Sequence, residues 1–246
     1  PISLRSSLEE LRAKPAEHYE SEAHGVVSLL SDVPDLWDVK MDSSPHDCGA
    51  SRFRPEGAHE PIIDFVKTVT DRPVVGVGRF TSPDTMVSQL RRGVLDFIGG
   101  ALASIADPFL PTKIREGRSD DIRECIGCNI CIASWHDGVP VRCTQNATAG
   151  EEWRRGWHPE KFTKTDKPSS VLVVGGGPSG LEAALVAARQ GFDVTIAERA
   201  DDWGGRVLQE SQLPGMASWR RVRDYRVWAL FQMGDVPLFT NNDLLC

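Results

Sequence analysis

The sequence predicts an α/β chain built on parallel sheets, and three observations carry that expectation. Short runs rich in Val, Ile and Leu alternate with amphipathic segments through the first 120 residues. A glycine-rich turn at 175–180 stands between a strand-like run and a helix-like one. With 40% apolar residues in 246, the chain is long enough to bury a real core, and at roughly 100–200 residues per domain it holds one large domain or two small ones.

Charge and hydropathy remove whole classes of function. The formal net charge of −7 gives no basic face for nucleic acid or an anionic membrane. No run reaches the roughly 18 apolar residues of a membrane-spanning helix. The first residues lack the basic, apolar and small-residue order of a signal peptide. A cytoplasmic location is therefore expected, and because the chain opens at Pro1, a piece of something longer.

Taken in order, residues 2–5 read as a strand, 22–30 as a helix, 36–41 as a strand, 61–70 as a helix and 73–77 as a strand. Ser82 is the expected cap of a helix that has Pro83 in its first turn and Met86 and Leu90 on one face. Residues 96–100 form another strand, and Asp107 with Pro108 opens a further helix. Repeated βα units suit a (β/α)8 barrel or an open doubly wound sheet. The strand ends favour the barrel, where ligands sit at the C-terminal ends of strands and phosphate binds after the last two. Gly76-Val-Gly-Arg-Phe80 and Gly99-Gly-Ala101 are glycine-bearing strand ends, each leading into a helix. Arg79 is placed to pair with a phosphate; the alternative is a helix cap or a loop bridge.

Six cysteines are present, and Cys125, Cys128, Cys131 and Cys143 are spaced C-x2-C-x2-C-x11-C. A disulfide framework does not put thiols three residues apart in succession, since neighbouring turns compete for the same partners. Four thiolates from one loop and one return strand suit a 4Fe-4S cubane. Zinc is the rival, although its structural sites usually come as two separated cysteine pairs. Cys48 and Cys246 read as plain thiols.

After a polar linker over 151–170, Ser-Val-Leu-Val-Val-Gly-Gly-Gly-Pro-Ser-Gly runs a buried strand into G-x-G-x-x-G at Gly175, Gly177 and Gly180. A helix over 181–190 and a strand over 193–197 follow, and Glu198 lies 21 residues beyond Gly177. The glycines let the backbone approach a pyrophosphate at a helix N-terminus, and the acid is placed for a ribose hydroxyl. The Trp203-Gly204-Gly205-Arg206 turn is a second close-approach point for a flavin or ADP pyrophosphate.

The pattern resembles the trimethylamine dehydrogenase group of the Old Yellow Enzyme-like flavoproteins, over about residues 5–224. Its most specific stretch is Cys-Thr-Gln-Asn-Ala-Thr-Ala-Gly-Glu-Glu-Trp-Arg-Arg-Gly-Trp-His-Pro-Glu at 143–160. The resemblance implies the C-terminal half of a (β/α)8 FMN barrel (1–118, the last four strands), a 4Fe-4S segment and linker (119–168), and the start of a Rossmann-like ADP- or FAD-binding domain (169–246). It further implies that Arg5 faces the flavin pyrimidine and that Gly78, Arg79, Gly100 and Ala101 hold the FMN phosphate. Asp47 resembles the active-site acid and Trp135 one wall of an aromatic site for an alkylated ammonium. Two departures stand out: Leu102 and Ala103 replace an Arg-Pro pair near the flavin phosphate, and Ser44 replaces a second substrate-facing Trp, which favours a smaller or more polar amine.

The expected function is oxidation of a methylated or other small amine at FMN, with electrons passing through 4Fe-4S to an electron-transfer flavoprotein, in a protein that is a homo-oligomer at full length. The alternative is an NAD(P)H-dependent enoate or dienoyl-CoA reductase using FMN, 4Fe-4S and FAD. A third reading is an electron-transfer module with a cluster and a nucleotide but no flavin barrel. Four strands cannot close a barrel, so the polypeptide alone is expected to be inactive and poorly folded.

Overall fold

The computed structural model describes residues 1–7, 19–40, 53–157 and 160–241, and the chain divides into two compact units, Pro1–Ser104 and Ile105–Cys246. Among the described residues no helix is long and apolar enough to cross a membrane.

The first unit runs β1 (Ser3–Ser7), α1 (Tyr19–Leu29), β2 (Leu36–Lys40), α2 (Glu60–Ile63), α3 (Val66–Val69), β3 (Val74–Gly76), α4 (Pro83–Arg91) and β4 (Phe97–Ile98). The four strands are all parallel and lie in sequence order, β1-β2-β3-β4. Order without reversal is what successive right-handed βα units produce when each strand is laid beside the last. Side chains alternate along β2, so Trp37 and Val39 are fully buried with Val27, Val66 and Val74 around them.

Two local expectations change. The single helix over 61–70 is two short ones, because backbone bonding tightens at Phe65, whose carbonyl accepts the Thr68 amide. Ser82 sits at the N-cap of α4, but its side chain makes no capping bond. Glu56 takes that role from 25 residues upstream: its carboxylate accepts the Thr81 amide (3.1 Å), the Ser82 amide (3.1 Å) and the Thr81 hydroxyl (2.5 Å). An acid there also faces the positive end of the helix.

From β4 the chain enters α5 (Ala101–Ala106). The second unit then contains α6 (Leu110–Arg115), α7 (Ile130–His136), α8 (Glu152–Arg155), β5 (Ser170–Val174), α9 (Pro178–Gln190), β6 (Asp193–Ala197), α10 (Arg206–Glu210), α11 (Arg221–Met233) and β7 (Leu238–Phe239). Its parallel sheet has the order β5-β6-β7. The sequence reading found two clear strands there; β7 is a third, paired to β6 with Leu238 opposite Ile196. Leu181 and Leu185 of α9, Ile196 of β6 and Leu230 of α11 are almost fully buried in one cluster. At about 1.5–3 kcal/mol each, these side chains weld the two helices to the sheet. Gly191, at φ +93°, ends α9 in the left-handed region that favours glycine.

Asp107 does open α6, accepting the Phe109 amide at 3.0 Å. Completely buried, it also binds Lys113 Nζ at 2.6 Å and the Arg123 amide at 2.9 Å.

Candidate functional site

Candidate functional residues lie in three places, the first of them on the barrel-like unit. Because its strands are parallel, their C-terminal ends share one edge of the sheet. There Gly78 and Arg79 follow β3 and Gly100 and Ala101 follow β4; Gly76 pairs with Ile98, and the Gly99 amide donates to the Gly76 carbonyl at 2.8 Å. Arg79 is held in the left-handed region at φ +54°, a conformation that costs a non-glycine residue about 1 kcal/mol or more. Its Nη2 donates to the Arg54 carbonyl at 2.7 Å, while its buried Nε has no partner. A strained arginine with an unsatisfied donor is what a phosphate-binding loop presents before its anion is added. Gly78 is closely packed: a Cβ there lies 3.0 Å from the Gly57 backbone and from the Phe80 ring, so a side chain would press both aside. Gly100 is open, its nearest neighbour 3.8 Å from such a Cβ. Arg5, on β1, lies opposite Asp38 of β2 and pairs with it at 3.7 Å, with most of its side chain exposed. Asp47 lies outside the described residues, as do Ser44, Cys48 and Cys246.

The second place is the cysteine loop. Cys125, Cys128, Cys131 and Cys143 are all free thiols and partly buried. The backbone is left-handed at Gly127 and at Asn129, which precedes α7, so the chain turns between successive cysteines. The Gly127 amide donates to Cys125 Sγ and the Gln145 amide to Cys143 Sγ, both at 3.4 Å. Burial pushes the Cys131 thiol up, and nearby Cys143 and Cys128 push it further. Burial likewise raises Cys143, against the Gln145 and Asn146 amides. Thiols that oppose each other's ionisation would be bound as thiolates by a positive centre. Amide-to-sulfur bonds are the second layer that tunes an iron–sulfur cluster. The donor set therefore fits such a group. Among the described residues, no three His, Cys, Asp or Glu are gathered to hold a single metal ion.

The 143–160 stretch gains a physical meaning here. Thr144 Oγ1 lies 3.2 Å from Cys128 Sγ, Gln145 Nε2 donates to the Glu124 carbonyl (3.0 Å), and Asn146 Nδ2 to the Ile105 carbonyl (3.0 Å). Gln145, Asn146 and Thr148 are each 2% exposed, so these bonds replace water that is absent. Further along, Glu160 pairs with buried Arg123, which also donates to the Ala106 carbonyl at 2.6 Å and stacks over Tyr225. Burial works against the Arg123 charge, yet Glu160, Tyr225 and Asp107 hold its pKa above the ordinary value. Trp135 is 61% exposed, with its ring edge-on to His136.

The third place is the turn between β5 and α9. Each glycine of the motif has its own job. Gly175 has φ +101°; Gly177 has open space around it; a Cβ on Gly180 falls 1.9 Å from the Gly175 carbonyl oxygen. The third glycine thus lets helix and strand touch, while the second leaves the approach to the helix N-terminus clear. Glu198 accepts the Gly176 amide at 2.5 Å and the Ala200 amide at 2.8 Å. The Ala200 amide, with Gly176, keeps its carboxyl below the usual carboxylate range despite partial burial. The Gly204 amide donates to the Gly176 carbonyl at 2.8 Å, laying the second glycine turn against the first. Arg206, highly exposed, pairs with Glu210 at 2.8 Å. A cavity of about 420 Å³ runs from Cys128 and Thr144 to Pro178, Arg206 and Trp219, joining the cysteine loop to the nucleotide turn.

Sequence reasoning missed Glu56 as a cap and Gln145 as a clamp; Gln145 lies within the 143–160 stretch, which is singled out only by its family resemblance.

Comparison with known proteins agrees with this geometry. Residues 2–121 match the NADH:flavin oxidoreductase / NADH oxidase family, and 173–237 the NAD(P)-binding Rossmann-like domain. Dimethylamine dehydrogenase of Hyphomicrobium sp. is 48% identical over 204 residues, 81% of this chain and 28% of that enzyme. The structure of histamine dehydrogenase from Rhizobium sp. 4-9 superimposes with a TM-score of 0.91 at 47% identity, covering 98% of this chain and 35% of that one. The 6-hydroxypseudooxynicotine amine oxidase structure from Pseudomonas geniculata N1 gives a TM-score of 0.90 at 52% identity, covering 98% and 36%. This chain therefore spans about a third or less of the length of these relatives. At about half identity to those amine-oxidising enzymes, and superimposing on two of them over nearly its whole length, the chain belongs to the trimethylamine dehydrogenase-like family of FMN-dependent oxidoreductases.

Proposed function

We propose that the chain forms part of a dehydrogenase that oxidises a small, methylated or otherwise substituted amine. The observation that carries this reading is the four-cysteine loop sharing one compact unit with the dinucleotide turn, in a chain about half identical to amine-oxidising enzymes. Three regions divide the work: 1–118 as the last four strands of an FMN barrel, 119–168 as the 4Fe-4S segment, and 169–246 as the beginning of an ADP- or FAD-binding domain. Bound FMN supplies oxidation of the C–H bond beside the amine nitrogen, and a 4Fe-4S cluster supplies single-electron transfer onward to an acceptor such as an electron-transfer flavoprotein.

The chain's own residues bind and orient. Arg79, with the Gly78 turn and the Gly100 and Ala101 amides, neutralises the FMN phosphate. Arg5 places positive charge beside the pyrimidine edge, where the reduced ring becomes anionic. Asp47 balances the substrate ammonium, and Trp135 offers its exposed face to an alkylated nitrogen. Cys125, Cys128, Cys131 and Cys143 ligate the cluster. Gly175, Gly177 and Gly180 admit a pyrophosphate, Glu198 takes the ribose, and Arg206 flanks the turn.

The match of 173–237 to an NAD(P)-binding domain favours a second reading, a reductase that draws electrons from NAD(P)H toward an enoate or dienoyl-CoA substrate. Anaerobic titration of the holoenzyme separates the two. Bleaching of the flavin by dimethylamine or histamine, with no response to NADPH, is the expected result; bleaching by NADPH alone overturns it. Iron and acid-labile sulfide in equal amounts establish the cluster, and zinc in their place refutes it.

A further inference from the structure

The two segments that carry the cysteines are held together from outside, by a helix of the nucleotide-binding region. Arg226, on α11, is 2% exposed, and each of its three nitrogens donates to a partner in the same unit. Its Nε donates to Glu182 of α9 at 2.6 Å. Its Nη1 donates to Gln145 Oε1 and to the Val222 carbonyl, both at 2.8 Å, and its Nη2 to the Thr144 carbonyl at 2.9 Å. Thr144 and Gln145 directly follow Cys143. Gln145 relays the tie in two directions, its backbone amide to Cys143 Sγ and its side-chain amide to the carbonyl of Glu124, which precedes Cys125. One guanidinium thus reaches the flanks of both the first and the last cysteine.

We propose that Arg226 is a positioning residue for the four-cysteine site, acting through Gln145 and Thr144 and anchored by Glu182. The inference rests on the cluster reading above. Its physical basis is enthalpic and geometric. The loop is anchored by Ile126, buried against Val207 and Val222, but apolar packing does not fix the direction of its backbone carbonyls and amides, which hydrogen bonds lock. A buried guanidinium is suited to that, since its planar fork makes several directed bonds while its charge is met by Glu182. The same charge lies against Thr144 and Gln145, next to Cys143, where it favours the more negative, reduced state of a cluster. Glu182 also stands one turn beyond the Gly177–Pro178 start of α9, so the anchor and the nucleotide turn belong to one helix.

The test uses the holoenzyme with Arg226→Met, Arg226→Lys and Gln145→Leu, and Arg189→Met as a control that touches only Tyr225 among its resolved bonds. Three quantities are read: the rate of iron release to a chelator, the EPR spectrum of the reduced cluster, and its midpoint potential. Nucleotide binding is measured alongside as a check of folding. Arg226→Met is expected to release iron about 10- to 100-fold faster, the range for losing hydrogen bonds to a charged group, and to lower the potential. Arg226→Lys recovers the potential but not the release rate, because an ammonium restores charge without the fork. Gln145→Leu speeds release with the charge intact, and it carries the test alone if Arg226→Met does not fold. Release rates for Arg226→Met and Gln145→Leu within about twofold of the unmodified protein, with nucleotide binding unchanged, overturn the proposal. An unmodified protein without labile sulfide refutes the cluster reading itself, a distinct outcome that removes the proposal with it.

Discussion

Alanine at Gly180 and at Gly177 should have opposite consequences, although the residues are three apart in one motif. At Gly180 the new Cβ falls 1.9 Å from the Gly175 carbonyl oxygen and 3.0 Å from its carbon, and both obstacles are backbone. Relief requires α9 to move off β5 by an ångström or more, across a contact that also buries Leu181 and Leu185. Overpacking against a rigid partner reaches about 3 kcal/mol. For a domain of this size that lowers Tm by about 6–12 °C. At Gly177 nothing lies within 4 Å of the added methyl, and φ is −72°, comfortable for alanine. Stability should stay within about 0.5 kcal/mol, while the methyl occupies the space through which a pyrophosphate meets the helix N-terminus. Scanning calorimetry on nucleotide-stripped holoenzyme avoids the linkage that bound ligand adds, and calorimetric titration with ADP or FAD reads affinity. Gly177→Ala is expected to keep Tm and lose affinity by tenfold or about 1.4 kcal/mol at least. Equal Tm values for the two variants would refute the division of labour between the glycines.

Further outcomes follow from groups already placed. Asp107→Asn leaves Lys113 and Arg123 buried with a weakened partner and should cost about 3–5 kcal/mol, read as a fall in the urea midpoint. Arg79→Gln should raise the dissociation constant for FMN about 10- to 100-fold with little change in stability, measured by fluorescence of released flavin; unchanged affinity would remove Arg79 from the phosphate site. The Glu60 carboxylate is held below its ordinary value by Arg92, which bonds both of its oxygens, and then by Gln89, against partial burial. Its contribution to stability is complete above the unfolded value of about 4.3 and disappears as pH falls through the lowered folded value. Glu60→Gln should therefore flatten the acid limb of the stability profile below that point and leave its shape at neutral pH unchanged.

What the sequence made legible was local. The G-x-G-x-x-G turn, the cysteine spacing and the strand ends at Gly76–Phe80 and Gly99–Ala101 each lie within a few residues, and the chemistry of a turn is written in the residues that make it. What it hid was distant. Glu56 caps a helix whose own Ser82 was the natural candidate, and no periodicity links positions 25 residues apart. Arg226 reads as one more charge in an arginine-rich helix with little amphipathic contrast, yet it is 2% exposed because Gln145, 81 residues earlier, meets it. The 143–160 stretch stands out in the sequence only by its family resemblance, with no physical reason for its polar residues at 144–146 and 148. The reason is that Gln145, Asn146 and Thr148 are buried, and a buried polar segment must answer each donor and acceptor from whatever part of the chain packs against it.

The four parallel strands of the first unit leave their outermost backbone groups, on β1 at one side and β4 at the other, without ladder partners among the described residues. The two rims are unequal: β1 offers five residues of extended chain, while β4 offers two. Edge strands are adhesive in proportion to their length and flatness, and they recruit whichever strand arrives first. The longer rim, which carries Arg5, is thus the more exposed to pairing with another chain. Arg5, largely exposed on that rim, is the kind of charge that blunts strand-to-strand pairing between copies.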